Sequence, residues 1–171
     1  MKPLSITLLL ATFALTCAAQ APLVTEAKAS FNNVKGNILK AAEKMPEESY
    51  SFSPTKEERP FSQVVGHIAD ANTRSCSTVK GEVKQGDATS KKAKAELLAA
   101  LKASFDLCDA AFDSLTTDAA AAESVTMGRG KRSKLSILWG NTGHDMEQYA
   151  TMSGYLRQKG IVPPSSEAPV R

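Results

Sequence analysis

No sign of charge dominates this sequence: 21 Lys and Arg stand against 18 Asp and Glu, and the basic residues are scattered rather than striped. That balance excludes the electrostatic footprint of a nucleic-acid binder, which gathers positive charge on one face. No apolar run reaches the roughly 20 residues that a membrane-spanning helix needs, so no membrane span is expected. There is no internal repeat, no long low-complexity tract and no serine in a recognisable nucleophile elbow, which removes the solenoid and serine-nucleophile readings. Histidine occurs only twice, as His67 and His144, and cysteine three times. Any chemistry that depends on imidazole must therefore use one or both of two residues.

What is present begins with a leader. "MKPLSITLLLATFALTCAAQAP" has a basic start at Lys2, an apolar stretch from Leu4 to Leu15 and small residues after it. This pattern predicts an export signal over residues 1–19, cut after Ala19, and hence a periplasmic or secreted protein. Lipid attachment at Cys17 is the lesser alternative, because the preceding "ALT" lacks the usual small residue. Loss of Lys2 with the leader lowers the formal charge from +3 to +2. It leaves Cys76 and Cys108 in a compartment where disulfides persist. The remaining length suits one domain, residues 20–166, with "EAPVR" at 167–171 as a flexible tail.

Four stretches carry helical periodicity and nothing competes for strand. The first runs from about Leu23 to Lys44, with Ala27, Phe31, Val34, Ile38 and Ala41 alternating between spacings of four and three. A connector with Pro46, Pro54 and Pro60 follows, in which Tyr50 and Phe52 alternate like an extended segment against a core. The second helix is expected from Phe61 to about Val79, presenting Phe61, Val64, Val65, Ile68 and Ala71 or Asn72. The third has the stripe Leu98, Leu101, Phe105, Cys108, Phe112 and Leu115, which faces a bundle core. An Ala-rich linker ending in "TMGRGKR" reads as a flexible, solvated basic loop. The fourth helix spans about Ser133 to Lys159, with Leu135, Leu138, Trp139, Thr142, Met146, Tyr149, Met152 and Leu156 on its apolar face. Gly160 is placed to stop it in a left-handed conformation, and Pro163 and Pro164 forbid continuation. Four such helices predict an all-α four-helix bundle.

Several stretches together resemble one family: "MPEESYSFSPTKEERPFSQVVGH" and "HIADAN" around His67, "LLAALKASFDLCDAAF" in the third helix, and "HDMEQYATMSGYLRQKGIVPPSS" in the fourth. They are similar to the DinB-like superfamily, and closest to its exported branch. The resemblance implies a down-up-up-down bundle, often with a divalent metal held by three histidines, one from the second helix and two, four residues apart, from the fourth. Here those positions hold His67, His144 and Gln148. The family name comes from a damage-inducible gene and implies no DNA binding.

Both histidines of the chain thus fall on implied ligand positions, with an amide at the third. Imidazole suits zinc, nickel or iron, whereas an amide oxygen is a weak, hard ligand. Asp70, one turn after His67, and Glu147, three residues after His144, are the carboxylates nearest the set; Asp145 points about 100° away around the helix. Asn141 and Tyr149 are further candidates for lining a pocket. The alternative is metal-free: His67, His144 and Gln148 hydrogen-bond across the bundle and satisfy polar groups otherwise costly to bury. Parallel second and third helices, as the resemblance implies, would also bring Cys76 and Cys108 to similar levels, so that they form a bridge; the alternative is two buried thiols. Three functions follow from the resemblance: an exported bundle with a degenerate His/His/Gln metal site, a metal-dependent hydrolase or thiol transferase using that site, or a noncatalytic module that binds a small molecule or a second copy of itself.

Overall fold

A computed structural model describes residues 22–168, so the leader expected at 1–19, Cys17 within it and the end of the tail lie outside the described residues. Helix α1 spans Pro22–Lys44, α2 Phe61–Val79 and α3 Lys94–Asp113. A short α4 (Asp118–Ala122), strands β1 (Ser124–Met127) and β2 (Gly130–Ser133), and the long α5 (Lys134–Gln158) complete the order. No helix among the described residues is long and apolar enough to cross a membrane.

The periodic apolar residues form the interior. Phe31 and Ile38 of α1, Phe61 and Ile68 of α2, Leu101 and Phe105 of α3 and Leu138 and Leu156 of α5 are all essentially inaccessible. Phe31 packs against Phe105 and Phe112, with ring centroids 5.9 and 4.9 Å away. The connector after α1 does more than link helices. Its Phe52 and Tyr50 carbonyls accept the Phe61 and Ser62 amides at 2.9 and 2.8 Å, which satisfies donors that the first turn of α2 would leave bare.

Cross-helix partners define the directions. Lys28 pairs with Asp113 and Lys35 with Asp109, so α1 and α3 are antiparallel. Asn72 lies beside Ser104, and a disulfide joins Cys76 to Cys108, so α2 and α3 are parallel. His67 meets His144 and Asn72 meets Asn141, so α2 and α5 are antiparallel. The result is the down-up-up-down bundle. Both sulfurs are buried, and their bridge ties α2 to α3 near the C-terminal end of α2.

The return connector from α2 to α3 is pressed hard onto α2. A Cβ on Gly66 would stand 2.8 Å from the Thr89 backbone, and one on Gly86 would meet Asp70, so glycine at both positions permits the contact. At the far end of the bundle, Gly160 has φ of 70° and closes α5 as expected, with the Ile161 amide returning to the Leu156 carbonyl at 2.9 Å.

Two expectations are corrected. The stretch read as a flexible loop is α4 followed by a β-hairpin, in which Val125 pairs with Arg132 and Met127 with Gly130. Val125 and Met127 tuck against the core while Ser124 and Thr126 face out, and Gly128, at φ of 63°, supplies the tight turn. Four-residue strands are too short for alternation to stand out from the surrounding helices. The buried face of α5 is also rotated from the one expected: Trp139 and Met146 are 54% and 44% exposed, whereas Ile137, Asn141, Asp145 and Ser153 are buried. Asn141 and Asp145 take inward positions because they find polar partners there, and hydrophobicity alone does not register that.

Candidate functional site

Because α2 and α5 run antiparallel, His67 and His144 meet at the same level of their seam. Their Nε2 atoms are 3.0 Å apart, with ring centroids at 4.9 Å and planes inclined by 70°. Both rings are half-buried. Burial lowers the pKa of His67 below the usual histidine value, and the neighbouring charge of His144, then of Arg59 and Arg74, lowers it further. A neutral ring is the form that can offer a lone pair to a cation. Gln148 lies one helical turn beyond His144, half-buried, and no hydrogen bond among the described residues holds its amide.

Directly behind His144 is a fully buried polar trio. Asn72 and Asp145 have no accessible surface, and Asn141 has little. The side-chain amides of Asn72 and Asn141 meet at 2.6 Å, and Asn141 reaches within 3.5 Å of the Asp145 carboxylate. With its nitrogen toward Asp145, Asn72 donates to both carboxylate oxygens at 3.2 Å. Burial pushes the Asp145 carboxyl up to about 6 from its ordinary 3.8, with His144 acting in the opposite direction. The Nδ1 atom of His144 faces this carboxylate at 3.8 Å, and it is buried without a hydrogen-bond partner.

The other candidates are used elsewhere. Asp70 turns to the return connector, where its carboxylate accepts the Ala88 amide at 2.7 Å, the Thr89 amide at 3.1 Å and the Thr89 hydroxyl at 2.7 Å. Tyr149 donates to the Ser165 hydroxyl at 2.8 Å and accepts from the Ser165 amide at 2.9 Å, which fastens the segment after α5. Glu147 is exposed. Among the described residues no three His, Cys, Asp or Glu side chains gather closely enough to share an ion. Sequence reasoning placed Asn141 near the pocket but overlooked Asn72 and Asp145 as partners. The signal was available: an asparagine at an inward position of α2 has to find a polar partner, and in an antiparallel pair that partner lies beside His144.

The donor set can be tested against a metal by distance. With metal–nitrogen bonds of about 2.1 Å, two ligands of a tetrahedral ion stand about 3.4 Å apart, so the two Nε2 atoms, at 3.0 Å, need separate only slightly to become neighbouring ligands of one ion. Two imidazoles, with an amide one turn along α5, are a donor set that suits a divalent transition metal held weakly.

The sequence profile of the DinB superfamily matches residues 31–152. No curated protein matches the chain. The fold is similar to that of a DinB-like protein from Bacillus cereus ATCC 10987, at 15% identity and a TM-score of 0.69, covering 82% of this chain and 95% of that one. It is also similar to a DinB-like protein from Bacillus subtilis, at 15% identity and a TM-score of 0.66, covering 88% of this chain and all of the other. With the profile spanning four helices and both histidines, and the bundle shared along its length with two such proteins, this chain belongs to the DinB superfamily.

Proposed function

We propose that this is an exported DinB-superfamily bundle whose His67, His144 and Gln148 form a weakened site for a divalent transition metal such as zinc, nickel or iron. The observation that carries the reading is the approach of the two Nε2 atoms to 3.0 Å across the α2/α5 seam. His67 and His144 would hold the ion from opposite helices, and Gln148 would offer an amide oxygen from one turn along α5. A bound ion of this kind supplies Lewis acidity at its open positions, where water or a thiol loses its proton more easily.

The chain's own contribution is placement. The depressed pKa of His67 keeps its ring neutral near pH 7, and the antiparallel helices hold both rings without help from a loop. Asp70, committed to the connector, stays out of the site. A metal-dependent hydrolase or thiol transferase is the activity such a site would serve. The export signal expected at 1–19 supports a periplasmic or secreted location.

A second reading is a noncatalytic module, with the two histidines hydrogen-bonded to each other. The amide at position 148 favours it. So do Trp139, Met146 and Leu23, exposed along the α1/α5 groove where a small molecule or a second copy could pack. The test is elemental analysis of the full chain purified from the periplasm. A bound transition metal that is lost in His67→Ala supports the metal reading. Metal-free protein that takes up no zinc, nickel or iron when they are added would sink it.

A further inference from the structure

The histidine pair has an asymmetry that its two rings do not explain. His67 sits at the seam with its far side toward solvent, whereas the far nitrogen of His144, Nδ1, is buried, lacks a hydrogen-bond partner and faces the Asp145 carboxylate at 3.8 Å. A buried nitrogen left unpaired is costly. The carboxylate in front of it is itself held from behind by Asn72, whose amide nitrogen, turned toward it, donates to both oxygens at 3.2 Å, so it has a fixed place and spare acceptor capacity. A small rotation of the imidazole closes the gap.

We propose that Asp145, held in place by Asn72, is a positioning residue for His144: it accepts a hydrogen bond from Nδ1–H and so fixes the tautomer in which Nε2 presents a lone pair to the seam. The inference rests on the metal-site reading for its purpose, but not for its geometry. Carboxylates behind ligating histidines commonly set the tautomer and orientation of the ring. Here the carboxylate is the residue next to His144 in sequence, and the amide that holds it, Asn72, comes from α2 across the seam, so α2 and α5 must be docked before the ring is set.

A second consequence follows without any metal. The two Nε2 atoms at 3.0 Å can share only one proton in a hydrogen bond. If His144 is protonated on Nδ1, that proton must come from His67. The metal-free pair therefore holds opposite tautomers, His144 protonated on Nδ1 and His67 on Nε2. To ligate an ion through Nε2, His67 alone must change its tautomer, which its outward-facing Nδ1 permits.

Long-range proton–nitrogen correlation spectra of the ¹⁵N-labelled, chelator-treated full chain read both tautomers directly, and with two histidines His67→Ala completes the assignment. The expected result is Nδ1–H for His144 and Nε2–H for His67. In Asp145→Asn the His144 tautomer becomes mixed, and zinc affinity, measured by competition with a chromophoric chelator, falls roughly 10- to 100-fold. Should that variant fail to fold, Asn72→Ser loosens the same carboxylate and should shift both readouts in the same direction. Finding His144 as Nε2–H in the wild type, or finding tautomer and zinc affinity both unchanged in the folded variant, overturns the proposal. Wild-type protein with the expected tautomers but no zinc binding would remove the metal reading and leave the positioning role standing.

Discussion

Replacing Asp145 with asparagine should change not only stability but its dependence on pH. The carboxylate has no accessible surface, and burial raises its pKa from 3.8 to about 6 in the folded state. For a group whose folded pKa is raised, the stabilising contribution is fully present below the unfolded pKa and is lost as pH rises through the folded one. A shift of about two units corresponds to about 3 kcal/mol at most. The stability of Asp145→Asn relative to wild type should therefore rise by up to about 3 kcal/mol between about pH 4 and pH 7, because the variant has no buried charge to form. His67, whose pKa is lowered, contributes a slope of the opposite sign near pH 6, but it is present in both proteins and largely cancels in the difference. Urea unfolding at pH 4, 5, 6 and 7, with slopes checked for constancy, measures it. A stability difference that stays constant across this range would refute the argument that Asp145 is desolvated and poorly compensated.

Two further perturbations probe the frame around the site. Replacing Cys76 and Cys108 together with alanine opens a cross-link spanning 32 residues, and should cost about 3 to 4 kcal/mol in urea unfolding; a loss under about 1 kcal/mol would mean that the unfolded chain is barely constrained by it. Asp70→Ala removes three hydrogen bonds to the return connector and should speed hydrogen exchange at the Ala88 and Thr89 amides while leaving zinc affinity unchanged. A large drop in affinity instead would put Asp70 in the metal site.

How much of this was legible in the sequence differs between the frame and the site. The periodicity of Phe31, Val34 and Ile38, of Phe61, Val64 and Ile68, and of Leu101, Phe105 and Phe112 located three helices and their inner faces, because apolar burial repeats with the helical period. Helix α5 was located, but its inward face was misread at Trp139 and Met146. Its core side instead carries Asn141 and Asp145, residues that are inward because of partners on α2 rather than because of their own chemistry. The β-hairpin escaped notice because two four-residue strands carry little pattern. Within the site, the pairing of His67 with His144 came from a family resemblance rather than from spacing. The role of Asp70 came from neither, since a carboxylate one turn from a histidine looks like a ligand until the connector that occupies it is seen.

The central claim is that His67 and His144 form a metal site weakened at one position, and Gln148→His tests it most directly. Zinc titration against a competing chelator should give one weak site per chain in the wild type and none in His144→Ala. In Gln148→His, where a third imidazole replaces the amide, binding should be roughly tenfold tighter or more. Absence of zinc binding in the wild type, with no gain in Gln148→His, would contradict the account and leave the two histidines as a hydrogen-bonded pair in the wall of a metal-free bundle.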